Sequence, residues 1–453
     1  MTRIHEYFLF TLQKLCFSLN LFHLSLKING FPIRKAQALL KTIQNKTETD
    51  LITSIEFKKQ EIVEFHLKHN SFYKSFAKGV NPQNWESIPV MDKHHLQHPI
   101  RERLSNGYAL KNVYINKTSG SSGNPFIFAK DKFCHSLTWA GFIDRYGWYN
   151  LNFNTSKQAR FYGIPLNKVG YYKERFKDLL SKRYRFSVFD LSDVQFEKNL
   201  IKFKTTKFDY INGYTSSIVQ FSKYLKQKNL VLKTTCPTLK ACIVTSEMLF
   251  KEDKTLLETQ FGIPIINEYG AAELGLIAFQ NTENEWIVNT EDLYFEILDE
   301  NNQILPYGEE GRIVITSLYN KAHPFIRYDL GDIGKLSKKS TPAKPILDTL
   351  VGRTNDIICL PSGKKAAGLT FYYVTKTVIE DDGNVKEFII EQLKIDTFKI
   401  SYISSYELSE EKLIIIKEAI SKYLESNLTV IFERKTALER SKRGKLKQFK
   451  SYL

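Results

Sequence analysis

The stretch "LKACIVTSEMLFKEDKTLLETQFGIPIINEYGAAELG", residues 239–275, sets a short apolar run, "LKACIVTSE", before a charged, helically spaced segment, "KEDKTLLETQF", and a second apolar run, "IPIINEYG". Parallel strands are buried on both faces and so carry nearly continuous apolar sequence, and the chain must cross over between them, most often through a helix. Strand, helix and strand in this order predict a parallel sheet wrapped by helices. Just upstream, "SIVQFSKYLKQ" reads as a further helix of the same alternation.

Working outward, the texture changes on both sides. From about residue 285, "DLYFEILDENNQILPYGEEGRIVITSL" has β-rich runs separated by polar, glycine-containing turns, which predicts antiparallel strands and a small barrel-like section. Beyond "VGRTNDII" a final segment mixes strands such as "EFIIEQL" and "FKISYIS" with a helix, "SEEKLIIIKEAISKYLES", the size and texture of a small α+β domain. Toward the N-terminus, residues 30–110 are mainly helical, with "KAQALLKTIQ" and "FHLKHNSFYKSFAKG" the clearest stretches, and "FCHSLTWAGFIDRYGWY" is a further aromatic helix. The expected architecture is therefore α/β: a large N-terminal domain, residues 1–351, with parallel sheets and a β-barrel-like section, and a small C-terminal domain, residues 352–453. A chain of 453 residues exceeds what one core usually supports, which fits two domains.

Composition narrows the classes. Apolar residues at 42% and charged residues at 25% are globular values. Five scattered cysteines, Cys16, Cys134, Cys236, Cys242 and Cys359, form no C-x-x-C pair, which excludes a disulfide framework and a cysteine zinc site and points to a reducing cytoplasm. The net charge of +16 invites a polyanion partner, yet its densest run, "RKTALERSKRGKLKQFK" at 434–450, with eight Lys or Arg against one Glu, resembles no nucleic-acid-binding motif. No nucleic-acid partner is expected. The N-terminal "YFLFTLQKLCFSLNLFHLSLK" is interrupted by Gln13, Lys14, Asn20 and His23, so it predicts an amphipathic helix on Phe8, Leu12, Leu15, Leu19 and Phe22. That helix either packs on its own domain or makes, at most, peripheral membrane contact.

Several motifs carry the chemistry. "KTSGSSGNPF", residues 117–126, puts small hydroxylated residues between two strand-like runs. Thr118, Ser119, Gly120, Ser121, Ser122 and Gly123 present donors without bulk and can close over phosphate oxygens, or they form an ordinary hairpin. "NEYGAAELG", residues 267–275, follows a parallel strand, where ligands of open α/β sheets gather. There Tyr269, beside Gly270, would stack on a base and Glu273 would hold a magnesium ion; the alternatives are core packing for Tyr269 and a solvent-facing first-turn carboxylate for Glu273. "RYDLGD", residues 327–332, places Asp332 after a glycine turn, suited to the two hydroxyls of a ribose. "GRTNDII", residues 352–358, adds Arg353 at the domain boundary, and "RGKLK", residues 443–447, puts Lys445 behind a glycine.

In this order the motifs resemble those of the adenylate-forming enzyme superfamily: "TSGSSGNP" its phosphate loop, "YGAAE" its tyrosine-glycine-acid motif, "RYDLGD" its ribose aspartate, "GRTND" its hinge, and the "GK" of "RGKLK" its catalytic lysine. Within it, "SIPVMDKHHL", "INGYTSSIVQFSKYL", "VTSEMLFKEDKTLLETQFGIPIINEYGAAELG" and "PYGEEGRIVITSLYNKAHPFIRYDLGD" resemble the phenylacetate-CoA ligase-like branch, which includes ligase-like proteins found with capsular polysaccharide biosynthesis. The resemblance runs from about residue 65 to the C-terminus. It departs at Asn124, where many relatives carry Lys, and at Asn355, where an acid is usual.

The resemblance implies an ATP- and magnesium-dependent ligase that turns a small-molecule carboxylate into an acyl-adenylate. The acyl group then passes to coenzyme A, or to the amine or hydroxyl of a sugar beside polysaccharide biosynthesis enzymes. It further implies phosphate contacts from Thr118 to Gly123, adenine on Tyr269, magnesium on Glu273, ribose on Asp332 and Arg353, and Lys445 acting only when the small domain closes. A catalytically idle nucleotide-binding scaffold is the remaining alternative.

Overall fold

The computed structural model describes residues 22–118, 126–163, 168–353, 357–363, 365–367, 379, 384–440 and 446–453. Its α/β architecture is the expected one, with parallel sheet, curled antiparallel sheet and a terminal α+β unit.

The N-terminal part is helical, with helices at Phe22–Ile28, Ile33–Gln44, Glu48–His69 and Ser71–Phe76. Thr47 and Asn70 cap two of them by accepting the Asp50 and Tyr73 amides. A hairpin follows, β1 (Tyr114–Lys117) and β2 (Ile127–Lys130). The predicted amphipathic helix on Phe8 to Phe22 lies almost wholly outside the described residues, and no described helix is long and apolar enough to cross a membrane.

The central sheet contains β3 (Gln158–Phe161), β4 (Arg183–Phe186), β5 (Tyr210–Tyr214), β6 (Ala241–Thr245), β7 (Ile265–Ala271), β8 (Gly275–Gln280) and β9 (Trp286–Val288), in the order β4-β3-β5-β6-β7-β8-β9. Its first five strands are parallel, and β8 and β9 then return antiparallel. The helices Thr215–Gln227 and Lys251–Phe261 are the crossovers expected from the sequence. β5 and β6 are buried at every position; β6 is nearly all apolar, and in β5 the one polar side chain inside the strand, Asn212, donates to the Ile243 carbonyl. One face packs Phe161, Phe186, Phe203, Phe221 and Phe261, and the other packs Tyr146, Tyr210, Ile243, Ile266 and Phe279 beneath the helix Lys132–Gly147.

A second sheet is antiparallel throughout: β10 (Leu293–Leu298), β11 (Glu310–Ser317), β12 (Tyr328–Leu336) and β13 (Leu347–Arg353). Register breaks between Arg312 and Val314, at Ile333/Gly334 and at Lys335/Leu336 give it the local bends from which curvature comes. Its inner face shares one core with the hairpin, with the helix Glu48–His69 and with β7 and β8, through Phe128, Ile62, Tyr269, Leu274 and Ile313. Farther along come the pair β14 (Ile357–Cys359) and β15 (Lys365–Ala367) and then β16 (Val385–Lys394), β17 (Thr397–Ser404), β18 (Thr429–Arg434) and β19 (Phe449–Ser451). The last four form a sheet in the order β18-β17-β16-β19, with the helix Glu410–Tyr423 burying Ile416 and Ile420 against Phe388, Ile400 and Phe449.

Candidate active site

Glu273 is not in the first turn of a helix. The chain leaves β7, turns through Ala272, Glu273 and Leu274, and returns antiparallel as β8. Two glycines make so tight a reversal feasible. Gly275 has φ +94°, and a Cβ there would stand 2.4 Å from Thr138 Cγ2; one on Gly270 would stand 2.7 Å from the Gly275 carbonyl oxygen. The turn folds inward, leaving Glu273 only 2% exposed.

The buried carboxylate is held by groups from two other segments. Tyr328 Oη donates to Glu273 Oε1 at 3.1 Å, and Lys93 Nζ stands 3.9 Å from the same oxygen. Burial and the adjacent Glu273 carboxylate push the Tyr328 phenol well above its ordinary range, which keeps it a donor. Lys93 is brought there by the segment "SIPVMDKHHL", which pairs with β12 through Met91: its amide donates to the Arg327 carbonyl at 3.0 Å and its carbonyl accepts the Asp329 amide at 2.7 Å.

Tyr269 and Asp332, predicted from separate motifs, meet directly. The Tyr269 hydroxyl donates to Asp332 Oδ2 at 2.7 Å, and the two residues are only 7% and 8% exposed. The Tyr269 ring packs edge-on to Trp286 at 6.0 Å, so core packing and a polar role coexist in one side chain. Asp332 lies opposite Arg353 in the β12–β13 register, so the expected ribose pair occupies facing positions on neighbouring strands. Gly331, at φ +79° with its amide on Asp329 Oδ1 at 2.8 Å, shapes the approach to Asp332. Arg327, which opens the same motif, is a brace: fully buried, with φ +42°, it donates to the carbonyls of Glu86, Ile88 and Asn302.

The serine and glycine loop is closed at its base. Thr118 N donates to the Phe126 carbonyl at 2.9 Å, and Phe126 N donates to Thr118 Oγ1 at 3.1 Å, while Ser119, Gly120, Ser121, Ser122 and Gly123 lie outside the described residues. Phe126 contacts Phe325 at 6.2 Å and Phe325 contacts Tyr328 at 5.1 Å, so an aromatic row leads from the loop base to the phenol that holds Glu273. Lys445 and Asn355 also fall outside the described residues. Leu446, next to Lys445, donates its amide to Glu247 Oε1 at 3.4 Å, and Glu247 Oε2 accepts the Ser216 amide at 2.7 Å.

Sequence reasoning missed Tyr328, Lys93 and Glu247. Tyr328 stands inside "RYDLGD", but only the β12 alternation, in which even positions point inward, aims it at Glu273. Among the described residues no three His, Cys, Asp or Glu side chains cluster as a metal site.

No protein-family model matches the chain. It is 25% identical over 325 residues to Protein CapK of Staphylococcus aureus, covering 67% of this chain and 68% of that one. It is 23% identical over 199 residues to the phenylacetate-coenzyme A ligase of Aromatoleum evansii, covering 42% of this chain and 44% of that one. Among solved structures, 2-hydroxyisobutyryl-CoA ligase in its postadenylation state, in complex with R3-HIB-AMP, superposes with a TM-score of 0.67 over 88% of this chain and 89% of that one, at 15% identity.

Proposed function

We infer the function from the premise that this chain belongs to the adenylate-forming ligase superfamily, on its phenylacetate-CoA ligase-like side: it activates a carboxylic acid with ATP and passes the acyl group to coenzyme A. The observation that carries the reading is the double link between two motifs far apart in sequence, Tyr269 to Asp332 and Tyr328 to Glu273. It unites a base-sized aromatic, a ribose-suited carboxylate and a metal-suited carboxylate beside the loop base.

In the reaction the substrate carboxylate attacks the α-phosphate of ATP, forming the acyl–O–P bond as pyrophosphate leaves. Charge accumulates on phosphate oxygens, so catalysis calls for donors and cations rather than a protein nucleophile. Thr118 to Gly123 bind the phosphates, Tyr269 and Gly270 border adenine, and Asp332 with Arg353 takes the ribose hydroxyls. Glu273 would hold magnesium, which supplies positive charge to the phosphates. Lys445 neutralises the α-phosphate and orients the attacking carboxylate. The thiol of coenzyme A then attacks the acyl carbon and AMP leaves.

We further propose residues 1–351 and 352–453 as the two working domains, the second mobile about Asn355. What supports the division is that the core around Phe388, Ile400 and Ile416 draws all its fully buried members from residues 358–449. A cytoplasmic location fits the free thiols of Cys134, Cys236, Cys242 and Cys359. A place in surface-polysaccharide assembly, with a sugar amine or hydroxyl as acceptor, is a second reading that the similarity to CapK supports.

The test is pyrophosphate release across a panel of carboxylic acids, with and without coenzyme A. At least one acid should release pyrophosphate and then yield a thioester; no release with any acid would refute the reading.

A further inference from the structure

A second polar cluster lies along β3, β5, β6 and β7, on the sheet face opposite Tyr269, with Tyr210 at the opening of β5 and Arg160 and Thr245 near the carboxyl ends of β3 and β6. Its members are Arg160, Tyr162, Tyr210, Thr245, Glu268 and, from the overlying helix, Tyr146. Apolar packing surrounds it: Tyr146 and Tyr210 share a core with Leu151, Ile243, Ile266 and Phe279. In such surroundings polar groups are costly unless paired.

Glu268 is paired. Its Oε2 accepts from Tyr146 Oη at 2.9 Å, and Thr245 also donates to it. Burial nonetheless raises its carboxyl above the ordinary range, with the Arg160 charge opposing that shift. Arg160 is different. Its guanidinium lies 4.2 Å from the centre of the Tyr162 ring, yet its Nε is buried with no hydrogen-bond partner. Native interiors seldom leave a buried donor unpaired; the Nε atoms of Arg183, Arg312 and Arg327 share that state, so the orphan Nε marks Arg160 as under-satisfied by its own chain without itself being open to a ligand. The side chain as a whole is only half-buried, so the site is reachable.

The cluster also adjoins the nucleotide residues in the chain, since Glu268 precedes Tyr269 on β7. Arg160 sits one residue before the end of β3, Thr245 ends β6, and ligands of parallel sheets collect at such ends. An acid delivered to the α-phosphate from this side would extend its far end past Glu268 toward Arg160.

We propose that this cluster is the acyl subsite and that Arg160 selects acids bearing a second anionic acceptor, such as a distal carboxylate, over apolar acids of the same length. The proposal rests on the adenylate-forming reading above and specifies its substrate class. A planar guanidinium recognises a carboxylate through two parallel N–H donors, and backing by the Tyr162 face limits the geometries it can adopt. Tyr162 and Tyr210, whose phenols burial holds protonated, supply further donors to the same end of the acid.

The experiment compares glutarate with pentanoate, and phenylacetate as an aromatic control, by pyrophosphate release in the wild type, Arg160→Met and Arg160→Lys. Glutarate should exceed pentanoate in kcat/KM by about tenfold or more in the wild type. Arg160→Met should erase that preference, chiefly by raising the KM for glutarate, and Arg160→Lys should retain part of it. Equal or better use of pentanoate or phenylacetate by the wild type, or an unchanged preference in Arg160→Met, overturns the proposal. If no acid at all releases pyrophosphate, the adenylate-forming reading fails instead. In that event glutarate's effect on thermal unfolding decides the subsite separately: stabilisation of the wild type but not of Arg160→Met supports it, and no stabilisation of the wild type overturns it.

Discussion

Removing a single oxygen tests whether the Tyr269–Asp332 contact is part of nucleotide recognition. Tyr269→Phe keeps the ring against Trp286 but takes away the donor 2.7 Å from Asp332 Oδ2. Both residues are more than nine-tenths buried, so water does not readily replace the lost donor. A hydrogen bond to a charged group is worth about 1.5–3 kcal/mol, and about 1.4 kcal/mol corresponds to a tenfold change in an equilibrium constant. If the hydroxyl orients Asp332 for ribose, Tyr269→Phe should raise the KM for ATP by about tenfold to a hundredfold with a smaller change in kcat. The assay is pyrophosphate release at saturating acid over a range of ATP, repeated with 2′-deoxy-ATP. Asp332→Ala should raise the KM for ATP at least as far and should lose the discrimination against the deoxynucleotide. In the double variant the two effects should fail to add, with a coupling of about 1 kcal/mol or more. Full additivity, or an ATP KM within twofold of wild type in Tyr269→Phe, would refute the argument, and retained discrimination in Asp332→Ala would remove the ribose assignment.

Glu273→Ala should weaken use of magnesium-ATP because it removes the buried carboxylate that Tyr328 holds, and Tyr328→Phe should do so more mildly by freeing that carboxylate; magnesium titrations of pyrophosphate release check both. Lys445→Ala should lower adenylate formation by about two or more orders of magnitude while thioester formation from supplied acyl-adenylate persists, and Lys442→Ala and Lys447→Ala should change little. Equal small losses at all three would leave only bulk charge. Stability should fall as pH drops from about 6.5 toward 4. Burial lowers His66 to about 4 and His135 to about 3, so the unfolded chain binds more protons in that window. His66→Asn should reduce the slope of denaturation free energy against pH there by up to one proton, and an unchanged slope would contradict it.

Much of the architecture was legible because periodicity is a local property. The apolar run at 241–245 and the one that opens 265–271 became parallel strands, the charged segment between them became their crossover helix, and the turn-punctuated runs after 285 became an antiparallel sheet. Local reading failed where a second segment defines the environment. "NEYGAAELG" suggests a strand followed by a first helical turn, yet the chain reverses into β8 because Gly275 adopts a positive φ against Thr138 and Gly270 clears its carbonyl.

The sequence by itself determined the order of elements, the expectation of a nucleotide site and which residue types could serve it, since these follow from side-chain chemistry and spacing along the chain. Only the tertiary structure decided that Tyr269 meets Asp332, that Tyr328 and Lys93 converge on Glu273, and that Arg160 reaches the neighbourhood of Glu268 across the two intervening strands β5 and β6. Each of these depends on sheet order and strand register, which bring together residues 55 or more positions apart. Whether a partly buried charge such as Arg160 is satisfied by its own chain or awaits a ligand is fixed by that three-dimensional placement, because a hydrogen bond depends on distance and direction, neither of which a one-dimensional pattern contains.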